Sequence, residues 1–273
     1  CVLLTKDHLK VKLPLLTAKL QEEHKKDVKK VSVKDMVKDE MLGEWHAYWL
    51  VQQYEWLLSL GLDPKDLKFR EHMHMELSHY SSATFDTDYK FPFGSKEIAG
   101  NANRGIYDLQ QHMKHSKAKL QVYDEASKSS VVPRVVEPTF GMDRIFLAVL
   151  YAAYNEDKER GNVVLKLPAF LAPNKVAVFP LVAKCNEKAR KVFDSVKSEL
   201  VSVYDKSGSV GRRYARADEQ GVPYCVTVDF DEGVTIRDRD TTKQTRVDEK
   251  DLVSTLRGLL NGDLSFSKVG KKV

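Results

Sequence analysis

Two opposite charges flank a bend in the stretch VVEPTFGMDRIFLAVLYAAY, residues 135–154: Glu137 before it and Arg144 after it. A β-branched run ends at Glu137-Pro138, a tight connection carries Gly141, and the run from Arg144 to Tyr154 has almost no polar residue. A helix apolar all round is expected to be buried. Charges beside a buried helix are costly unless they meet a partner or a ligand. The pair is therefore either an internal ion pair that fixes the turn or part of a ligand site, and the spacing leaves both open.

Other charged residues stand at comparable places. Tyr89 to Ile98 reads as a hairpin turning at Gly94-Ser95, with Lys96 and Ile98 on one face and Glu97 on the other. A carboxylate facing the cleft of an antiparallel sheet suits a hard cation that carries phosphates; an exposed strand glutamate is the plainer alternative. Arg104, in GNANRGIYDLQQH (100–112), sits at a strand-to-helix passage. Its guanidinium can hold a carboxylate in a fork or cap the helix. His72, His74 and His79 cluster, but without paired cysteines or HExxH spacing, so no zinc site is expected. Gly208-x-x-Gly211 precedes a basic helix but lacks the Lys-Ser/Thr ending of a phosphate loop. Arg212, Arg213, Arg216, Arg237 and Arg239 either face RNA or pair with neighbouring acids such as Asp205, Asp218 and Glu219.

EPTFGMDR resembles motif 3 of the class II aminoacyl-tRNA synthetases, in the form used by glycyl-tRNA synthetases. Four further blocks agree with that family in order: LKFREHMHMELSHY (67–80), GSKEIAGNANRGIYDLQQH (94–112), LAPNKVAVFPLV (171–182) and SGSVGRRYARADEQGVPYCVTVDF (207–230). The resemblance implies an α+β part, the back of a class II antiparallel catalytic domain, over residues 1–160. It implies an α/β anticodon-binding domain with a mixed sheet over 161–273. The implied reaction is ATP-dependent activation of glycine to glycyl-adenylate and transfer to tRNA(Gly). Carried over residue by residue, Glu97 helps hold Mg²⁺-ATP and Arg144 neutralises the γ-phosphate. Glu137 receives the glycine ammonium beside Thr139, and Arg104 addresses the carboxylate. Glu76, His79 and Tyr80 belong to the active-site wall, and the arginines of 212–216 and 237–239 are candidates for tRNA contact. Thr139 stands where the family commonly has Ser, Ser95 where it has Trp, and Thr84 where it has Cys. A homodimer in the full-length protein and a cytoplasmic location follow from the same resemblance. Neither the long helix of motif 1, the arginine-bearing motif 2, nor the family's upstream glycine-binding glutamate is found. A longer gene product is expected, with the stretch in hand inactive alone. A different class of function is a non-catalytic relative, such as the synthetase-like accessory subunit of mitochondrial DNA polymerase. Glu97, Arg104, Glu137 and Arg144 together favour the enzyme. A synthetase for His, Thr or Pro is a third reading, disfavoured by the EPT turn and the SGSVGRRYARADEQG block.

The elements that must position these residues fit a chain of 273 residues with 42% hydrophobic and 30% charged residues, ordinary for a globular protein. Forty-four basic against 39 acidic residues give +5, compatible with nucleic acid without indicating it. Cys1, Cys185 and Cys225 are scattered, as in a reducing compartment. No apolar run is long enough to cross a membrane. Residues 1–40 read as a solvated helical insertion rich in Lys and Glu. Met41–Leu60 reads as a helix stopped at Gly61, with Trp45, Trp49 and Trp56 in the core. Lys114–Val131 reads as an exposed connection and Asp157–Asn162 as a domain boundary. Strands at 176–180, 201–204, 224–230, 234–239 and 244–247 alternate with helices at 186–200 and 210–220, before a last helix to Leu260.

Overall fold

The computed structural model describes residues 4–25, 27–77 and 81–273. Contacts divide the chain into two units, Cys1–Ala148 and Val149–Val273.

The first unit opens with α1 (Lys6–Lys10), β1 (Lys12–Leu16), α2 (Ala18–Glu22), β2 (Lys29–Ser32) and α3 (Val33–Lys38), then α4 (Glu44–Ser59). β3 (Leu67–Glu71), β4 (Ala83–Phe91) and β5 (Gly94–Gly105) follow, then α5 (Tyr107–Ser116) and the small hairpin β6 (Val122–Asp124) and β7 (Ser129–Val131). β8 (Val135–Phe140) leads into α6 (Met142–Ala153). One six-stranded sheet runs β2-β1-β3-β4-β5-β8, antiparallel throughout except where β1 meets β3. α4 packs on one face of it.

Several expectations are corrected. The first forty residues are not a helical insertion: β1 and β2 extend the sheet, and Leu13, Leu15 and Leu16 are buried in it. Charged pairs along an exposed helix contribute a few tenths of a kcal/mol each, against roughly 1.5–3 for burying a leucine, so the strand wins. Gly61 does end α4, at φ 88°. Yet Trp45, Trp49 and Trp56 are 62%, 39% and 38% exposed, while Ala47, Leu50, Val51, Tyr54 and Leu57 form the inward stripe. α6 buries Ile145 and Ala148 but leaves Met142, Phe146 and Leu147 exposed, because only one stripe of the helix faces inward. The connection after Lys114 contains the β6–β7 hairpin. His79 and Tyr80 lie outside the described residues.

Pro138 sits within β8, the last strand of the sheet. The Gly141 amide donates to Ile98 O at 2.8 Å. Antiparallel alternation then makes Thr139–Gly100 a hydrogen-bonded pair and Pro138–Asn101 a non-bonded one. The missing N–H of Pro138 therefore falls on the outer edge, where the ladder loses nothing.

The second unit begins with the hairpin β9 (Tyr154–Asp157) and β10 (Asn162–Leu165), whose turn is the charged DKERGN segment. Then come β11 (Val176–Pro180), α7 (Asn186–Lys197), β12 (Ser202–Tyr204), α8 (Val210–Glu219), β13 (Tyr224–Val228), β14 (Val234–Asp238), β15 (Gln244–Val247), α9 (Leu252–Asn261) and β16 (Lys271–Lys272). The mixed sheet runs β12-β11-β13-β14-β15-β16, with β11 parallel to both neighbours. β11 is buried along its whole length, as its unbroken apolar sequence requires. Val176 and Val178 join Val192, Val196 and Leu256 on one face, and Ala177 and Phe179 join Ala217 and Cys225 on the other. Burial pushes the Cys225 thiol up to about 12, which makes it inert packing.

Candidate active site

Directly opposed residues of neighbouring antiparallel strands share a face. One row across the first sheet therefore reads Arg70 (β3), Asp86 (β4), Gly100 (β5), Thr139 (β8). The next row holds Thr84, Ala102 and Glu137. The face away from α4 thus carries Glu137 and Thr139 beside two small residues on β5.

Glu97 reaches the same face by an irregularity. Thr87 pairs with Ala99, but Asp88 pairs with Glu97, so Ile98 is an extra residue in β5. Strict alternation from Gly100 would turn Glu97 toward α4; the bulge returns it to the face of Asp86 and Asp88. Burial, and then the Asp86 charge, raise the Glu97 carboxyl above the usual carboxylate range. Arg144 Nη1 donates to the Glu97 backbone oxygen at 2.7 Å, which ties the start of α6 to β5. Glu137 and Arg144 are thus not partners of each other.

Glu137 accepts instead from Arg104 Nη1 at 2.6 Å, and Asp108 takes Arg104 Nε at 2.6 Å and Nη2 at 3.1 Å. The Asp108 and then the Glu137 hydrogen bonds raise the Arg104 guanidinium further above its ordinary value. Asp108 lies four residues along from Arg104, on the first turn of α5. Arg104 therefore bridges two carboxylates rather than capping the helix. Thr139 Oγ1 donates to Gly100 O at 3.4 Å.

The wall residue Glu76 accepts two hydrogen bonds from one guanidinium nitrogen, Arg70 Nη1, at 3.0 and 3.1 Å, and a third from the Met73 amide at 3.0 Å. Arg70 Nη2 donates to Asp86 Oδ2, and His72 Nε2 lies 2.8 Å from the same oxygen. Arg70, His72, Asp86 and Asp108 were not singled out from sequence as site residues. The usable signal is the Asp86-x-Asp88 alternation in a strand paired with that of Glu97. Behind the sheet a second polar group was also missed. His46 Nε2 donates to Asn101 O at 3.1 Å, Asn101 Nδ2 donates to Gln53 Oε1 at 3.0 Å, and Gln53 Nε2 donates to Thr87 Oγ1 at 3.1 Å. Burial lowers His46 to about 4, so it is neutral at physiological pH.

The arginines of the second unit divide differently from the expectation. Arg237 forms a two-pronged pair with Asp218 at 2.8 and 3.0 Å, and both are buried. Arg239, 3% exposed, donates to Gly221 O and Leu167 O at 2.8 Å each. Arg213, 5% exposed, donates to Pro180 O and to Gly208 O. These three face the interior, which corrects their assignment to RNA: a buried guanidinium must satisfy its donors at home. Arg216 is half-exposed and paired with Asp205, and Arg212 is exposed.

Residues 175–259 match the family model described as an anticodon binding domain. The chain is 49% identical over 211 residues to the glycine–tRNA ligase of Caldanaerobacter subterraneus subsp. tengcongensis, covering 75% of this chain and 46% of that protein. It is 46% identical over 218 residues to the glycine–tRNA ligase of Ruminiclostridium cellulolyticum, covering 77% and 47%. It is 41% identical over 229 residues to the glycine–tRNA ligase of Bacillus anthracis, covering 82% and 49%. The resemblance read from the five blocks is borne out. The chain spans about half the length of these curated relatives.

Proposed function

We propose that this homologue of the glycine–tRNA ligases supplies the motif 3 side of a glycine-activating site together with an anticodon-binding domain. Residues 1–160 are read as the back part of a class II catalytic domain and 161–273 as the anticodon-binding domain. The whole protein would join glycine to ATP, release pyrophosphate and pass the glycyl group to tRNA(Gly), acting as a cytoplasmic homodimer. What carries the reading is one sheet face that gathers Glu97, Arg104, Glu137 and Thr139, with Arg144 anchored beside them. The non-catalytic alternative is not favoured, since these charges are retained and the relatives are ligases.

The chemistry is the attack of the glycine carboxylate oxygen on the α-phosphorus of ATP, with pyrophosphate leaving. No protein nucleophile is needed; positioning and charge neutralisation suffice. The Arg104–Glu137 contact is matched to a small zwitterion. Glycine inserting into it would give its carboxylate to Arg104 and its ammonium to Glu137, so each charge exchanges one partner for another. Asp108 holds Arg104 from the far side, so the guanidinium keeps its place during the exchange. Arg144, at the N-terminal turn of α6, is suited to the terminal phosphate. Magnesium suits the oxygen donor of Glu97, whose desolvation a divalent ion would offset. Glu97 and the triphosphate would hold it, and it would supply charge neutralisation. Of the expected RNA contacts, exposed Arg212 and half-exposed Arg216 are retained.

Replacing Arg144 by Ala in the full-length protein should reduce glycine-dependent ATP–pyrophosphate exchange by about a hundredfold or more. Near-normal exchange in that variant would sink the assignment.

A further inference from the structure

Asp86 is 7% exposed, and among the described residues its two hydrogen bonds both use Oδ2: one from Arg70, one with His72. Its other oxygen, Oδ1, points elsewhere. A Cβ built on Gly100 would lie 3.8 Å from Asp86 Oδ1 and 3.0 Å from Thr139 Oγ1. The two oxygens therefore flank the opening that the absent side chain leaves above Gly100. Any other residue there would close the opening by crowding Thr139. Glu137 stands in the next row on the same strand as Thr139.

The charge around this notch is not balanced locally. Arg70 is shared between Asp86 and Glu76, and Asp88 is already paired with Lys68 at 2.8 Å. The same imbalance acts on Glu97, whose carboxyl is raised by burial and then by Asp86. A buried carboxylate whose second oxygen faces the space over Gly100, with a hydroxyl opposite, suits a small cation bearing several N–H donors.

We propose that Asp86 is a specificity-determining residue that binds the α-ammonium of glycine through Oδ1, in the notch over Gly100 opposite Thr139. This rests on the glycine-activating reading above and deepens it. Glu137 then receives the ammonium from one side and Asp86 from the other, with Thr139 Oγ1 between them. The ammonium supplies, on the notch side of Asp86, a cation that none of the described residues supplies there. Because the notch is bounded on β4, β5 and β8 at once, the α-carbon of the bound amino acid lies close to the sheet, and a side chain on it meets backbone. Discrimination against alanine is thus tied to Asp86: a tight ammonium contact draws the α-carbon down, and a loosened one lets it ride higher.

The test uses two non-reactive adenylate mimics on the full-length protein. One carries the glycyl amine, 5′-O-(N-glycylsulfamoyl)adenosine; the other replaces that amine by hydrogen, the N-acetyl counterpart. Titration calorimetry of Asp86→Asn should show the glycyl mimic weakened by about tenfold or more, the usual loss of one charge-assisted hydrogen bond. Binding of the acetyl mimic should stay within about twofold of its wild-type value. Equal weakening of both mimics would make Asp86 a structural residue and overturn the proposal, as would unchanged binding of both. Binding of neither mimic by the wild-type protein would overturn the synthetase reading itself, a result distinguishable from the other two. Should Asp86→Asn fail to fold because it leaves Arg70 undercompensated, the double variant Asp86→Asn, Arg70→Gln removes both charges. The same split between mimics is expected there, and its absence counts against Asp86 in the same way.

Discussion

Arginines behave in opposite ways in the two units. In the second, Arg213, Arg237 and Arg239 are drawn inside and spend their donors on Asp218 and on backbone oxygens of loops. In the first, Arg104 and Arg144 sit at the rim of a sheet face, each fixed by contacts that leave the group beside it addressable. The surroundings explain the difference. The second sheet is covered on both faces, so a long cation near it becomes a staple between strand, helix and turn. Among the described residues α4 covers one face of the first sheet, and charge collects on the other. Basic residues in a domain that matches an anticodon-binding family are therefore not, by that fact, the residues that touch RNA.

The contrast is open to attack at several points. The largest effect is expected for Arg237→Ala, which leaves Asp218 buried with a charge that, among the described residues, Arg160 alone can partly compensate, at 3.3 Å. Breaking such a pair costs about 3–5 kcal/mol, readable by urea denaturation of the full chain. A loss below about 1 kcal/mol, the range of exposed pairs, would return Arg237 to the surface and erase the distinction.

A somewhat smaller effect separates the two faces of the first sheet. His46 is neutral in the folded state down to about pH 4, whereas in the unfolded chain it takes a proton near 6.5. Below 6.5 the unfolded state binds the extra proton, so stability falls as pH drops from 6.5 toward 4. The full span is about 3 kcal/mol at 1.36 kcal/mol per unit. Unfolding free energy measured at several pH values in this window, with and without His46→Gln, should show the slope shrink in the variant. An unchanged slope would mean that the acid sensitivity comes from the charged face instead.

The smallest effect on stability belongs to Arg212→Ala, within about 0.5 kcal/mol as for other exposed sites. The same change should weaken tRNA binding and reduce its salt dependence by about one ion. Loss of stability with unaltered salt dependence would reverse the sorting of Arg212 from Arg213.

Much of the second unit was legible in the sequence. The apolar run at 176–180 and the stripe Ala189, Val192, Phe193, Val196 dictate a covered strand and the helix that covers it. The hairpin carrying Glu97 was legible too, but not the reason that Glu97 faces the site. One unpaired residue, Ile98, reverses the face of everything before it, and no composition signal marks such a bulge. The three tryptophans of α4 mislead for a related reason: hydrophobic spacing finds the helix but does not say which stripe faces in. Here the inward stripe includes His46 and Gln53, made tolerable by Asn101 and Thr87 on strands far along the chain. Partners distant in sequence likewise hid Asp86, whose neighbours Arg70 and Gly100 become adjacent only through strand order.

Pro138 has a consequence beyond its own strand. An outermost strand with an unbroken row of amide donors is a template on which another copy of the chain can stack. With the donor gone at its middle, the rim of this sheet offers an interrupted pattern, and a stray strand from a second molecule finds no continuous register to zip along. Among the described strands, the edge of β8 is thus a poor template for cross-β stacking of copies of this stretch.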